Sequence, residues 1–316
     1  MHRRPFALLV VLLIVVAGCA GSPAPTTPAA TATTSGYPGW PAGPDPQAQM
    51  VPLLISSELV PGPNRFLFSL ADLHNALIAA PDLTTQLRFF DLAADPATPA
   101  AQATGTFIWT VPDTVGLYHA MVTFGRAGPW GVEIGASKSG LPDRTARVVF
   151  DVRATGSTPA LGSKVPVADT PTATTSAGIA AISTDSQPDP DFYRQSVNGA
   201  LAAHRPFVLI FATPLFCTSR ACGPTLDTVK SVAEPYKAQM DFIHVEPYKL
   251  RQTETGLQPD LAADGSFQVV PAASAWNIPT EPWIFLVRAD GTLLAKFEGA
   301  VGADELRLAL DALVGS

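Results

Sequence analysis

The sequence has little charge, no cluster of basic residues and no long apolar run, and these shortages exclude two classes of protein. Charged residues make up 15% of the 316 residues, against about 25% in an average globular protein. Lys and Arg number 20 against 27 Asp and Glu, so the formal net charge is −7. Nucleic-acid binding needs a basic face, which this composition does not supply. No apolar stretch reaches the roughly 18 residues of a membrane-spanning helix.

Proline, by contrast, is abundant. The chain contains 31 prolines, about twice the usual 5%. Residues 19–49 and 155–189 combine proline with Thr, Ala, Ser and Gly, so we expect a disordered tether and a disordered linker there. The regions 50–154 and 190–316 are each long enough for one domain. The sequence therefore predicts two domains on Pro/Thr/Ala-rich linkers.

The first residues predict an exported protein. Arg3 and Arg4 precede an apolar run over residues 6–16, which is the pattern of a secretory signal peptide. The VAGC motif that ends at Cys19 resembles the bacterial lipobox, whose cysteine becomes the lipidated first residue. The resemblance implies that residues 1–18 are removed and that lipid on Cys19 anchors the protein to the extracytoplasmic face of the cell membrane.

The cysteine count then becomes informative. The chain has 3 cysteines, and lipid on Cys19 leaves Cys217 and Cys222. In an oxidising compartment an even pair of this kind is expected to form a disulfide.

Region 50–154 has an all-β pattern. Short β-prone segments separated by Gly, Pro and Asp signals predict a β-sandwich, with strands at 65–71, 86–92, 103–110, 117–124, 130–134 and 144–152. Alternation places Tyr118 and Phe124 on the core face of one strand. The turn before Tyr118 and the stretch GLYHAMVTFGRAGPWGVEI resemble Ig-like domains of exported bacterial proteins, some of them linked to copper handling. The resemblance implies an Ig-like β-sandwich.

Two residues in this region could also be metal ligands. His119 and Met121 share one strand face, and imidazole plus thioether suits copper. His74 is the nearest third ligand of the right type, in a segment that could be helical. The alternative is that these are polar, half-exposed residues on the outer face of the sandwich.

Region 190–316 alternates helix and strand, which predicts an α/β domain with a mainly parallel sheet. Helices are expected at 192–203, after Cys222 and from Asp304 onward, and strands at 207–211, 241–246, 283–287 and 293–297. The turn at Asp290 and Gly291 predicts that the last two strands form an antiparallel hairpin.

The segments FVLIFATPLFCTSRACGP and IPTEPWIFLVRADGTLLAKFEG resemble the thioredoxin-like family. The resemblance implies a thioredoxin-like fold in which Cys217 and Cys222 are redox-active at a helix N-terminus. It also implies a cis proline at Pro282, after Glu281, that lines the substrate groove. No cofactor or metal is implied.

The cysteine spacing departs from that family, because four residues separate Cys217 from Cys222 instead of two. Five helical steps rise about 7.5 Å, which exceeds the roughly 7 Å Cα limit of a disulfide. Cys217 must therefore lie before the helix, or the first helical turn must unwind. Either cysteine could be the attacking one. The buried carboxylate that thioredoxins often carry in the first strand is also missing, and Glu246 is the nearest substitute.

These features predict a membrane-anchored extracytoplasmic thiol–disulfide oxidoreductase. Its partners would be exported cysteine-containing proteins or a membrane reductant. TPLFCTSRACG is also similar to peroxiredoxins with a four-residue cysteine spacing, which would make the protein a peroxidase. Three further alternatives remain open for the cysteine pair. It could be an inert structural disulfide, it could belong to a non-catalytic binding protein, or it could serve a metal carrier that uses both thiolates and His244.

Overall fold

The computed structural model describes residues 36–43 and 48–315, all within one compact unit. The predicted signal peptide and Cys19 lie outside the described residues. Strands account for 36% and helices for 17%. No helix in the described part of the chain is both long and apolar enough to cross a bilayer.

The larger sheet has seven strands, all antiparallel to their neighbours, in the order β1-β2-β5-β4-β3-β6-β7. The strands are β1 Val51–Leu54, β2 Gly62–Ala71, β3 Thr84–Asp91, β4 Ala101–Val111, β5 Val115–Phe124, β6 Gly128–Ser137 and β7 Arg144–Val152. The all-β prediction is confirmed, but the Ig-like sandwich of two separate sheets is wrong. The start of β4 pairs with β3 and its end with β5, so one sheet folds over on itself until β1 and β7 approach each other.

Aromatic side chains fill the space that this sheet encloses. Phe66 meets Phe89 with ring centroids 5.1 Å apart, and Phe124 meets Trp130 at 4.9 Å, both edge to face. The hydroxyl of Tyr118 donates to the carbonyl of Ala80 at 2.9 Å, so its one polar atom is satisfied. The predicted core face of this strand, with Tyr118 and Phe124, is confirmed.

The smaller sheet has four strands in the order β13-β12-β8-β9. Its strands are β8 Phe207–Phe211, β9 Asp241–Val245, β12 Trp283–Val287 and β13 Leu293–Glu298. The hairpin of β12 and β13 is confirmed, but the mainly parallel sheet is wrong, because only β8 and β9 run parallel. The chain between β9 and β12 crosses to the other side of β8 and enters the sheet in the reverse direction. It contains β10 Leu250–Thr253, β11 Gly256–Pro259 and α4 Pro271–Ala275.

Helices cover both faces of the smaller sheet. Alternate residues of β8 point to opposite faces. Val208 and Ile210 pack on α3 Cys222–Ala233 and α5 Ala303–Val314, whereas Phe207 and Leu209 pack on α2 Val197–Ala202 and α4. Burial on both faces explains why β8 is apolar without interruption. The predicted first helix at 192–203 is broken, since only its second half forms α2.

The two sheets are not joined by a flexible linker, contrary to the predicted domain arrangement. Within residues 155–189, Val165 and Ile179 are buried, and α1 Ser176–Ala180 forms a short helix. The amide of Val165 donates to the carbonyl of Gly291 at 3.0 Å. Composition alone was misleading here, because a few well-placed apolar residues are enough to pin a Pro-rich segment to a folded surface.

Ion pairs connect the larger sheet to the smaller one. Arg65 of β2 donates to both carboxylate oxygens of Glu305 in α5, at 2.6 and 2.9 Å. Lys296 of β13 pairs with Glu58, whose side chain is 2% exposed. The amide of Ser57 donates to Glu298 at 2.8 Å. Bidentate and buried contacts of this kind hold the two sheets as one body.

Candidate functional site

The cysteines lie where the chain leaves β8 and enters α3. The intervening loop is tied to its surroundings: the amide of Leu215 donates to Thr184 Oγ1 at 3.2 Å, and the ring of His244 contacts the carbonyl of Ala212 at 3.0 Å. Arg220 has a φ of 58°, a left-handed conformation that turns the chain just before α3 begins at Cys222.

A disulfide joins Cys217 to Cys222, with Cα atoms 6.0 Å apart. This distance lies in the normal range for a disulfide. Cys217 lies in the loop before α3, which is one of the two arrangements that the helix rise allows. The two sulfurs differ in accessibility, because Cys222 is 0% exposed and Cys217 is half-buried. The site therefore presents one sulfur to an incoming group and keeps the other inside.

The first turn of α3 contacts the outer sulfur. The backbone N–H of Cys222 points at Cys217 Sγ, 3.3 Å away, and Ser219 Oγ lies 3.2 Å from the same sulfur. Free N–H groups at a helix N-terminus favour negative charge, and such surroundings promote the thiolate form of a cysteine. When the disulfide opens, this arrangement stabilises charge on Cys217.

Glu281 lies beside both sulfurs. Residue Trp283 at the start of β12 pairs with Phe211 at the end of β8, so the segment before β12 reaches the cysteine loop. The Glu281–Pro282 peptide bond is cis. A carboxylate oxygen of Glu281 and the two sulfurs all lie within 4.8 Å of one another. Since the sulfurs are bonded to each other, they offer no thiolate pair to a metal ion in this state.

Tyr248, from the loop after β9, holds the carboxyl of Glu281. Its hydroxyl donates to Glu281 Oε2 at 2.7 Å. Burial raises the pKa of Glu281, and the hydrogen bond from Tyr248 opposes this shift. The pKa of Tyr248 is itself raised, chiefly by burial. The carboxyl beside the disulfide is therefore easier to protonate than an exposed glutamate.

Apolar side chains lie on the cysteine loop and on the segment 261–269 that contacts this loop through Phe216 and Phe267. Leu215 is 67% exposed, and Leu261 and Val269 are also exposed. Phe267 packs against Phe216 and against Tyr248, with ring centroids 6.2 and 5.0 Å apart. We call Leu215, Phe216, Leu261, Phe267 and Val269 the apolar rim.

The histidines proposed as metal ligands are not brought to the cysteines. His244 is buried, and its ring nitrogens contact Tyr193 at 2.8 Å and Ala212 at 3.0 Å. Burial lowers its pKa. Glu246, the predicted substitute for a buried carboxylate, instead accepts hydrogen bonds from the amide and hydroxyl of Thr184 at 2.7 and 2.6 Å. Among the described residues, the group of potential ligands at the disulfide consists of the two cysteines and Glu281.

The candidate copper ligands of the larger sheet are also separate. His119 packs at the junction of the two sheets, 3.3 Å from Glu305. Met121 is 62% exposed, and the side chain of His74 is 93% exposed, near Asp72. The segment around His74 forms turns rather than a helix.

Sequence reasoning missed Tyr248 and Ser219. Tyr248 lies two residues after the predicted strand 241–246, and site residues often lie where a strand of an α/β sheet ends. That position was the available signal. Ser219 gave none, because its contact depends on the path of the loop.

Comparisons with known proteins identify no family. No family model matches the chain, and no curated protein is similar at a significant level. Among solved structures, a DUF4426 family protein from Pseudomonas aeruginosa PAO1 is similar over 34% of this chain and 90% of its own, with 9% identity and a TM-score of 0.22. MtrC from Shewanella baltica OS185 is similar over 49% of this chain and 29% of its own, with 16% identity and a TM-score of 0.25.

The expected membership of the thioredoxin-like family is wrong. The chain has about twice as much strand as helix, and its largest sheet is antiparallel and nearly closed. The predicted fold class, with an α/β thioredoxin-like domain, is wrong for the same reason. The chemistry of the site must therefore be argued from its own geometry.

Proposed function

We propose that this protein is a thiol–disulfide oxidoreductase that exchanges disulfides with exported proteins. It would act at the extracytoplasmic face of the cell membrane, held there by lipid on Cys19. One observation carries the proposal: the Cys217–Cys222 disulfide joins an accessible sulfur to a buried one at the N-terminus of α3.

The accessible sulfur defines the direction of attack. A partner thiolate attacks Cys217 Sγ, a mixed disulfide forms, and Cys222 leaves with the electron pair of the broken bond. The partner's second thiol, as thiolate, then attacks the partner sulfur in the mixed disulfide, and Cys217 leaves as a thiolate. The partner ends with a disulfide and this protein with a dithiol. Run backwards, the same steps reduce a partner disulfide.

The apolar rim supports a polypeptide as the partner. Leu215, two residues before Cys217, is exposed, and so are Leu261 and Val269 on the segment that contacts the cysteine loop. These exposed side chains favour contact with apolar groups over a small polar peroxide. Incompletely folded exported proteins expose both cysteines and apolar residues. The cysteine that they present would dock beside Cys217.

A redox titration of the whole protein tests the proposal. The protein is equilibrated in defined thiol–disulfide buffers and the Cys217–Cys222 bond is quantified by mass spectrometry. A potential between about −270 and −120 mV would match exchange catalysts, whereas one below about −300 mV indicates a structural disulfide and would contradict the proposal.

Serine variants separate catalysis from binding in the cell. A protein that acts by exchange loses its function in either Cys217→Ser or Cys222→Ser. A protein that acts only by binding retains it in both. Ser231→Ala, at an exposed position of α3 where the hydroxyl donates to the carbonyl of Thr228, keeps both cysteines and is the matched control.

A further inference from the structure

The geometry points to Glu281 as the group that takes the proton from Cys222 when the disulfide closes and returns it when the disulfide opens, with Tyr248 positioning its carboxyl. This inference rests on the proposed function, because it assigns the proton transfer within that reaction.

The buried position of Cys222 creates the need for such a group. Cys222 is 0% exposed, so bulk water does not reach its sulfur in the folded protein. A thiol must lose its proton before it can attack a disulfide, and a buried thiolate without a partner is costly. Some group next to the sulfur must exchange that proton.

Glu281 meets the geometric requirement. One of its carboxylate oxygens lies within 4.8 Å of both sulfurs, close enough for direct transfer after a small rotation of the side chain or through one water. Its other neighbour is the hydroxyl of Tyr248, 2.7 Å from Oε2. The titratable groups that face Glu281 are thus Tyr248, Cys217 and Cys222.

The chemistry also suits a carboxyl that is partly buried. Burial raises the pKa of Glu281, which brings it toward the range in which a group both accepts and donates a proton. Glu246 does not share this position, because among the described residues the group of potential ligands at the two sulfurs contains Glu281 and not Glu246.

Atoms and electrons balance in this step. A partner is bonded to Cys217 through a mixed disulfide, and Cys222 is a thiol. The ionised carboxylate of Glu281 accepts the proton, the Cys222 sulfur attacks Cys217 Sγ, and the partner sulfur leaves as a thiolate. In the reverse direction a partner thiolate attacks Cys217, Cys222 leaves, and the protonated Glu281 returns the proton to it.

The test uses the reduced protein and dithiobis-nitrobenzoate, which releases a coloured thiolate at each step. The first release reports attack by Cys217, and the second reports closure by Cys222. This leaving group needs no protonation, so the second rate isolates the loss of the Cys222 proton. In Glu281→Gln we expect the second rate to fall about 100-fold at neutral pH, with the first changed by less than about twofold.

Three variants sharpen the result. Glu281→Asp should recover part of the second rate. Tyr248→Phe keeps the carboxyl but removes the hydrogen bond that lowers the pKa of Glu281. The second rate of this variant should therefore begin to rise at a higher pH than that of the wild type. Glu298→Gln is the matched control, because burial raises the pKa of Glu298 as well while its oxygens contact Ser57 and Thr280.

An unchanged second rate in Glu281→Gln would overturn the inference. Equal slowing of both releases, or equal slowing in Glu298→Gln, would overturn it too. The reagent reacts with any accessible dithiol. A wild-type protein that closes normally here but has a potential below about −300 mV would contradict the proposed function alone.

Discussion

Cys217 and Cys222 are bonded to each other, yet only Cys217 can be reached from solvent. This difference predicts unequal reactivity once the bond is removed. Cys222→Ser, which leaves Cys217 free, should react with iodoacetamide at least about tenfold faster than Cys217→Ser at neutral pH, because the helix N-terminus promotes the thiolate. Mass spectrometry over time measures both rates. The two variants should react equally in guanidinium, and equal rates in the folded state would contradict the assignment of Cys217 as the attacking residue.

The stability of the oxidised protein should depend on pH through Glu281. Its pKa is raised above the ordinary 4.5 by burial, so its contribution to stability is fully present below pH 4.5 and is lost as pH rises through the folded-state value. Glutamine stays neutral throughout. Glu281→Gln should therefore melt at a higher temperature than the wild type at pH 7 and at the same temperature near pH 4. A thermal melt of each protein at both values measures this, and a variant less stable at pH 7 would contradict it.

The junction between the sheets should depend on Lys296. Its partner Glu58 has a side chain that is 2% exposed and is also held by donors from Ser157 and Thr158. Removing one member of a buried pair leaves the other charge unpaired, so Lys296→Met should lower the free energy of unfolding by about 3 kcal/mol.

Lys164→Met is the matched control for that variant. Lys164 and Asp290 form an ion pair with side chains 68% and 60% exposed, and such pairs contribute less than about 1 kcal/mol. Denaturant titration measures both variants. Equal losses would contradict the view that the buried pair holds the sheets together.

His119 should make the protein less stable in acid. Burial lowers its pKa below 6.5, with Glu305 opposing the shift and Arg65 adding to it. Its contribution to stability is therefore present above pH 6.5 and is lost as pH falls through the lower folded-state value. His119→Gln should lose less melting temperature between pH 7 and pH 5 than the wild type. An identical loss in both proteins would contradict this prediction.

Local pattern was sufficient to predict most of the strands. The alternation around Tyr118 and the apolar run of β8 depend on neighbours in sequence, and both gave strands where expected. The helix rise limited Cys217 to two arrangements, a position before the helix or an unwound first turn, and the structure has the first of them. The predictions that were wrong concern the arrangement of the sheets, which depends on contacts between residues far apart in the sequence. The single folded sheet arises from the two halves of β4 pairing with different strands. Gly105 lies where the pairing changes and has no room for a Cβ, but one glycine does not tell which strands pair on either side of it.

The candidate site was also predicted only in part, namely where its residues are close in sequence. The cysteine pair could be predicted because lipid on Cys19, as the lipobox resemblance implies, leaves Cys217 and Cys222 as an even pair. The hydrogen bond from Tyr248 to Glu281 joins residues 33 positions apart and depends on the chain crossing behind β8. The predicted disorder of residues 155–189 was wrong for a related reason. Their few apolar side chains are buried against surfaces that other segments of the chain provide.

The contact between Arg65 and Glu305 joins residues 240 positions apart. During synthesis, β2 therefore emerges long before the helix that neutralises its arginine and covers His119. A chain interrupted before α5 would display both side chains on an unfinished surface open to chaperones and proteases. Contact with Glu305 thus closes this surface, and copies truncated before α5 would differ from the intact fold by its exposure.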